Sequence, residues 1–164
     1  MSLNRRNFVG LGLGVAAAAA VMPSALSATD FRAEKPAAWT ATKVEEGMKA
    51  IYGTSSTTEG KVKLKAPDIA ENGAVIPIGV STKLKAKTVA IFQDANPEST
   101  VAVFTVPENG IIDYSVRIKM AKTGKVTVVA DVDGKLYSAS KTVKVTAGGC
   151  GGWFNPHIEV NIEI

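Results

Sequence analysis

The spacing of apolar residues changes near residue 60 from a helical period to a period of two. Before that point, apolar residues recur every three to four positions, at Trp39, Val44, Met48, Ile51 and Tyr52. Pro36 suits the first turn of a helix and Gly53 suits its end. The pattern therefore predicts a short N-terminal helix from Lys35 to Gly53, followed by a polar loop over 55–60.

Seven later segments show the alternation of apolar and polar residues that is typical of half-buried β-strands. Their predicted bounds are 61–66, 74–80, 88–93, 101–106, 112–120, 126–132 and 136–145. Asp133-Gly134 predicts a two-residue hairpin between the last two strands. Pro77 lacks a backbone donor, so it predicts an edge or a bulge in its own strand.

Seven short strands separated by turn signals favour an all-β fold, an immunoglobulin-like antiparallel β-sandwich. The paired cysteines and core tryptophan of antibody domains are missing, so only the architecture is predicted. We expect the short helix to precede the sandwich. A flexible Gly-rich C-terminal arm is expected to leave directly from the last strand.

The first 28 residues predict export from the cytoplasm. Arg5-Arg6 precedes an apolar run from Leu11 to Met22, and small residues up to Ala28 follow it. This is the pattern of a twin-arginine export signal, which targets a protein for export and does not anchor it in the membrane. The predicted domains are the signal peptide 1–28, the helix plus sandwich 29–146, the Gly-rich arm 147–152 and an atypical extension 153–164. We expect a periplasmic protein with no membrane association once the signal is removed.

The charge balance excludes some classes of partner. Removing 1–28 removes two arginines and no acid, which leaves 17 basic against 15 acidic residues and a net charge of +2. No basic block with interleaved aromatic residues is present, so nucleic acid is not an expected partner. A single Cys allows no internal disulfide, so stability must come from packing.

The one cysteine, Cys150, lies between Gly148-Gly149 and Gly151-Gly152. These glycines remove neighbouring side chains and give the backbone wide freedom, as a slender tether entering a narrow channel would require. About five extended residues would reach roughly 16–18 Å. A lone Cys is more often a buried, inert side chain, and Gly-rich tails are often simple linkers. An odd Cys in an exported protein nevertheless favours a reactive or intermolecular thiol.

The sequence around Cys150 offers nothing that would activate the thiol. No Lys, Arg or His lies within five positions, and an unperturbed thiol is mostly protonated near neutral pH. Activation is therefore expected from the pocket that receives the arm, and the chain is not expected to be an enzyme. A metal site at Cys150 and His157 would lack further ligands. Asp131 and Asp133, predicted to share a strand face, are expected to be solvated edge residues.

The chain resembles the SoxY family of sulfur carriers from the bacterial Sox thiosulfate-oxidation system. The resemblance rests on the twin-arginine signal, the short helix and three motifs. These are Lys61-Val-Lys-Leu64, Pro67-Asp-Ile-Ala-Glu-Asn-Gly73 and the Gly-Gly-Cys-Gly-Gly ending of 148–152. It extends from the signal to Gly152, and the ending is its most specific part.

The resemblance implies a carrier that is not itself a catalyst and needs no cofactor. Cys150 would be the covalent attachment point, and Gly148, Gly149, Gly151 and Gly152 would give the arm its flexibility. A haem enzyme would join thiosulfate to the thiol as a cysteine S-thiosulfonate. A thiosulfohydrolase would then release sulfate and leave a persulfide, and a sulfane dehydrogenase would oxidise the outer sulfur before a second hydrolysis. The resemblance also implies a heterodimer with a SoxZ-like subunit, exported together with the chain.

The chain departs from the family after the glycines, where the family sequences stop. Here residues 153–164 follow, beginning with Trp153-Phe154 and continuing with apolar residues at every second position from Ile158 to Ile164. This extension predicts a further strand or an attachment to a neighbouring sheet edge. A bulky Trp-Phe pair would obstruct a narrow channel unless the arm enters as a loop. The alternative function is a structural or adhesive periplasmic sandwich whose Cys forms an intermolecular disulfide.

Overall fold

A computed structural model describes residues 29–146, and its helices are shorter than the sequence predicts. Helix α1 spans Phe31–Glu34, α2 spans Pro36–Trp39 and α3 spans Val44–Tyr52. The prediction of one helix from Lys35 to Gly53 is therefore wrong in its continuity. Residues 40–43 lie outside any helix, because the Ser99 backbone N–H and hydroxyl both donate to the carbonyl of Ala41. Gly53 does end α3, with a left-handed φ of 77°.

The seven predicted strands are present, together with two short ones that the sequence pattern did not reveal. The strands are β1 Thr58–Glu59, β2 Val62–Lys65, β3 Ile69–Ala70, β4 Ile76–Thr82, β5 Thr88–Gln93, β6 Thr100–Thr105, β7 Ile112–Ile118, β8 Gly124–Val132 and β9 Lys135–Val145. Strand β1 lies in the segment predicted to be a loop. Both unpredicted strands, β1 and β3, pair with β9 in parallel.

The strands form two sheets packed face to face. The larger sheet has the order β1-β9-β8-β5-β6, with β3 also paired to β9, and the smaller has the order β2-β4-β7. All other pairs are antiparallel. Pro77 lies in β4, the middle strand, but β2 pairs only with Gly79–Thr82. In the described residues Pro77 therefore pairs with β7 alone, which explains how a proline fits there.

Two apolar clusters hold the layers together. The larger lies between the sheets, and Ile76, Ile78 and Val126 in it are fully buried. The smaller lies on the outer face of the larger sheet, where Met48 and Ile51 of α3 pack against Phe92. Of the five apolar residues that gave the helical period, Met48 and Ile51 are buried, and the other three are partly buried against this cluster. The described residues thus form a helical layer, a large sheet and a small sheet. No helix within residues 29–146 is long and apolar enough to cross a membrane.

The hairpin between β8 and β9 forms at the predicted residues. Asp133 and Gly134 have φ values of 52° and 83°, the two positive values that a tight hairpin turn requires. The Asp131 carboxylate accepts a hydrogen bond of 2.8 Å from the Gly134 N–H. The turn sets the register of the two longest strands, so that Val143 of β9 lies opposite Gly124 of β8.

Candidate functional site

The predicted site residues, Cys150 and the glycines 148, 149, 151 and 152, lie outside the described residues. The signal 1–28 and the extension 153–164 also lie outside them. The structure describes the strand that leads to the predicted site, β9, up to Val145, and the residue after it, Thr146. We call the residues that hold this end of β9 the arm base: Asp68–Ala70, Gly73, Met120, Thr123 and 144–146.

Strand β3 holds one side of the arm base through backbone hydrogen bonds. The Lys144 N–H donates to the Asp68 carbonyl at 2.9 Å, and the Thr146 N–H donates to the Ala70 carbonyl at 3.1 Å. Ala70 is buried in the large cluster, with 7% exposure. The last residue described before the predicted arm is therefore bonded to a strand that is itself fixed in the core.

The loop after β7 holds the other side of the arm base. The Thr123 hydroxyl accepts a hydrogen bond of 3.0 Å from the Val145 N–H. In the same region the Met120 N–H donates to the Gly73 carbonyl at 2.8 Å. A Cβ on Gly73 would overlap the Met120 carbonyl oxygen and lie 3.0 Å from Cγ1 of Val145. Gly73 therefore permits a close approach of two backbone segments beside β9.

A lysine on β9 connects the arm base to the segment before β3. The Lys141 ammonium donates to the Ala66 carbonyl at 2.5 Å and lies 3.1 Å from the Asp68 carboxylate. The Lys141 side chain is about one-third exposed, whereas Asp68 is almost fully exposed. The bond to the carbonyl is therefore the better shielded of the two contacts, and solvent screens the ion pair.

The two aspartates near the hairpin have structural roles. Asp133 lies in the turn and not on a strand, so the prediction that it shares a strand face with Asp131 is wrong. The positive φ of the two-residue turn places Asp133 beyond the end of β8. Its carboxylate lies 3.1 Å from the Lys87 ammonium, both groups being largely exposed, while Asp131 caps the turn. Neither arrangement is that of an acid and base acting as a pair.

Among the described residues, the largely buried Tyr52 has a shifted pKa. Burial raises the pKa of Tyr52 to about 12, against the smaller, lowering effect of the Thr88 hydroxyl, which donates to the phenol oxygen at 3.3 Å. Tyr52 stays protonated near neutral pH and is not available as a base. Within residues 29–146 there is no group of three or more His, Cys, Asp or Glu side chains that could hold a metal ion.

Sequence reasoning missed how the segment 66–73 supports β9. Asn72 lies in the turn that follows β3, where its side chain accepts a hydrogen bond from the Ala74 N–H. The parallel pairing of β3 with β9 has no periodic signal, because β3 has only two residues. The available clue was the compact run Pro67 to Gly73, whose turn residues left little room for an ordinary strand.

Comparison with protein families gives a match over most of the described domain. The family described as "Sulfur oxidation protein SoxY" matches residues 48–150, from within α3 to the cysteine. No curated protein matches the chain.

Solved structures are also similar to the chain. The sulfur carrier protein SoxY from Chlorobium limicola f thiosulfatophilum is 39% identical, with a TM-score of 0.59, and the alignment covers 66% of this chain and 96% of that one. A superoxide reductase (neelaredoxin) from Ignicoccus hospitalis is 17% identical, with a TM-score of 0.48 and coverage of 53% and 81%. The second similarity is too low to support any conclusion about this chain.

Proposed function

The chain belongs to the SoxY family of sulfur oxidation proteins, and we propose that it carries sulfur intermediates of thiosulfate oxidation covalently on Cys150. The observation that supports this most is the position of the glycine-flanked cysteine, four residues after Thr146, which follows β9 and is bonded to Ala70. A carrier needs a reactive atom on a tether and a fixed point from which the tether starts. The arm base supplies such a fixed point.

The length of the tether limits how a recipient enzyme approaches. Cys150 lies four residues beyond Thr146, a span of about 13–14 Å when the chain is extended. An enzyme whose reacting atoms lie at close to that depth below its surface must contact the arm base itself. Because Val145 and Thr146 are held on two sides, the tether starts from one position and direction. This reduces the conformational freedom that is lost when the arm enters a channel.

The chemistry of loading follows from the thiol and the substrate. The Cys150 Sγ–H bond breaks, a new S–S bond forms to the terminal sulfur of thiosulfate, and one proton and two electrons leave. The electrons pass to an oxidising haem enzyme, because the carrier holds no redox group in this proposal. Water then cleaves the outer S–S bond of the S-thiosulfonate, which releases sulfate and a proton and leaves a cysteine persulfide.

The later steps return the thiol to its starting state. A sulfane dehydrogenase would oxidise the outer sulfur of the persulfide to a sulfonate, with water supplying the oxygen atoms and the enzyme accepting the electrons. A second hydrolysis would release sulfate and restore the Cys150 thiol. The chain contributes attachment and presentation, and the partner enzymes contribute activation and redox chemistry.

Location and partners belong to the same proposal. The twin-arginine pattern of residues 1–28 supports export to the periplasm in a folded state. Folded export allows a second subunit to leave the cytoplasm with the chain, and we propose a SoxZ-like sandwich subunit as that partner. The haem enzyme, the thiosulfohydrolase and the sulfane dehydrogenase would bind transiently.

The proposal is tested by the mass of the Cys150-containing peptide in protein from cells that oxidise thiosulfate. We expect sulfur adducts that reduction removes, and none in the Cys150→Ser variant. Replacing Gly149 and Gly151 by Val should lower adduct formation at least tenfold, whereas replacing both by Ala should lower it less. An unmodified thiol during turnover, or a disulfide-linked dimer as the main species, would refute the carrier function.

A further inference from the structure

One side of the sandwich is incompletely covered. Strand β7 pairs with β4, and the described residues provide no strand on its other side. The inward side chains of β4, Ile78 and Val80, are at most 1% exposed, but Tyr114 and Val116 of β7 are only half-buried. The backbone groups on the free side of β7 and the apolar side chains next to them form an open edge.

The open edge faces β6, the last strand of the larger sheet, and the gap between the two strands is apolar. The Phe104 and Tyr114 rings meet across it, with 5.1 Å between their centroids. At one end of the gap is a cavity of about 290 Å³, where polar residues such as Asn96 and Lys119 join Val101 and Ile118 in the walls. Near the other end Ile111 is 85% exposed.

We propose that residues 158–164 pair with β7 as an antiparallel strand and cover this side of the sandwich. This C-terminal segment is as long as β7, seven residues each. It has apolar side chains at even-numbered positions and polar side chains at odd-numbered ones, as β7 has. The proposal extends beyond the carrier function and does not depend on it.

The side-chain pattern favours one register. Residues opposite each other in an antiparallel pair point to the same face, so a shift by one position would turn the apolar side chains to solvent. When residue 158 lies opposite Ile118, all even-numbered apolar residues of both segments point inward. In this register Glu159 lies opposite Arg117, and Asn161 lies opposite Ser115. Only Glu163 opposite Asp113 is an unfavourable pair.

The connecting chain is long enough to reach β7 from the arm base. The registers β9–β8, β8–β5 and β5–β6 place Val145 and Thr100 at the same end of the larger sheet. They lie about 14 Å apart across three strand spacings and about 16 Å apart along the strands, or about 21 Å in a straight line. The step to the other sheet adds about 10 Å. Residues 147–157 span up to about 36 Å when extended. Because β7 ends at this same end, a segment that arrives there and runs along β7 is antiparallel to it.

The edge of β6 is a poorer site for the same segment. A segment arriving from the arm base would run parallel to β6, and parallel pairing is slightly less stable per residue. The six residues of β6 include no charged side chain that could face Glu159. Strand β7 provides both the antiparallel direction and Arg117.

Amide hydrogen exchange tests the proposed pairing. The mature full chain is compared with a chain that stops after Gly152, and peptides covering β7 are followed together with peptides covering β2, the other edge of the same sheet. We expect β7 amides to exchange at least tenfold faster in the shortened chain, with β2 unchanged. Equal exchange of β7 in the two chains would refute the pairing.

A charge exchange tests the register without shortening the chain. Glu159→Arg should speed exchange of β7, and adding Arg117→Glu should restore the slow exchange. Glu163→Arg should slow exchange further, because it removes the one like-charge pair. Protection that depends on protein concentration would assign the edge to a second copy, and protection of β6 would assign the segment to the other sheet. Either result would overturn the proposal, and none of these measurements involves sulfur loading.

Discussion

Replacing Gly73 by Ala should destabilise the fold, although Gly-to-Ala changes often stabilise proteins. Gly73 does not have a left-handed φ, so Ala can adopt its backbone conformation. The difficulty is space, because the new Cβ would overlap the Met120 carbonyl oxygen and press on Val145. Met120 is itself 1% exposed and hydrogen-bonded to Gly73, so neither backbone segment moves independently.

The magnitude follows from two opposing effects. Ala reduces the conformational freedom of the unfolded chain, which stabilises the fold by about 0.4–1 kcal/mol. Forcing an extra methyl group into a packed site costs about 1–3 kcal/mol. The clash is with backbone, which has no alternative rotamer, so the upper part of that range applies. We expect a net loss of about 1–2 kcal/mol, or a melting temperature lower by roughly 3–8 °C for a domain of this size.

Urea unfolding followed by circular dichroism measures the change, and Gly79→Ala is the matched control. Gly79 lies in β4, where an added Cβ would meet only Lys65 side-chain atoms at 3.4 Å or more. The control should be neutral or up to about 1 kcal/mol more stable. If Gly73→Ala is as stable as Gly79→Ala, the close approach of backbone at the arm base is not real. The reasoning about how β9 is held would then fail.

Two further changes test the helical layer. Thr100→Val removes the buried hydroxyl that donates to the Ala38 carbonyl at 2.6 Å, and it should lower the free energy of unfolding by about 1–3 kcal/mol. Thr105→Val, at the exposed end of the same strand, should change it little in the same urea titration. Burial raises the folded-state pKa of Tyr52 to about 12. The contribution of its protonated phenol to the free energy of unfolding is therefore complete below pH 10, and it is lost as the pH rises towards 12. That loss is about 2–3 kcal/mol. The Tyr52→Phe variant has no phenol to ionise, so its stability should not show this loss. If the parent protein and the variant depend on pH in the same way, the phenol is not buried.

The sequence predicted the sandwich well because its strands carry their own signals. Side chains alternate along seven segments, and the turns between them contain residues with specific backbone preferences. At Asp133-Gly134 two consecutive positive φ values are needed, and few residue pairs adopt them easily. Pro77 was also informative, since it lies where β4 has a hydrogen-bonded neighbour on one side alone.

Features that depend on contacts far apart in the sequence were not predictable. The helical period between Lys35 and Gly53 is real, but Ser99 and Thr100 bind carbonyls near residue 40 and the helix is interrupted there. Strands β1 and β3 form only because they pair with the backbone of β9. The arm base combines residues more than 70 positions apart, and no local pattern brings them together. The role of Cys150 stays a prediction, since it lies outside the described residues.

The long strand that leads to the arm base also determines how the domain bears a mechanical load. In the proposed function, a partner that draws the C-terminal arm into a channel would pull β9 along its own axis. The hydrogen bonds from β9 to β8 lie across that axis and extend along most of its 11 residues. Such a pull shears the bonds together and does not open them one after another. Strands β1 and β3 pair with β9 as well, so under the proposed function tension at the arm would be spread through the larger sheet.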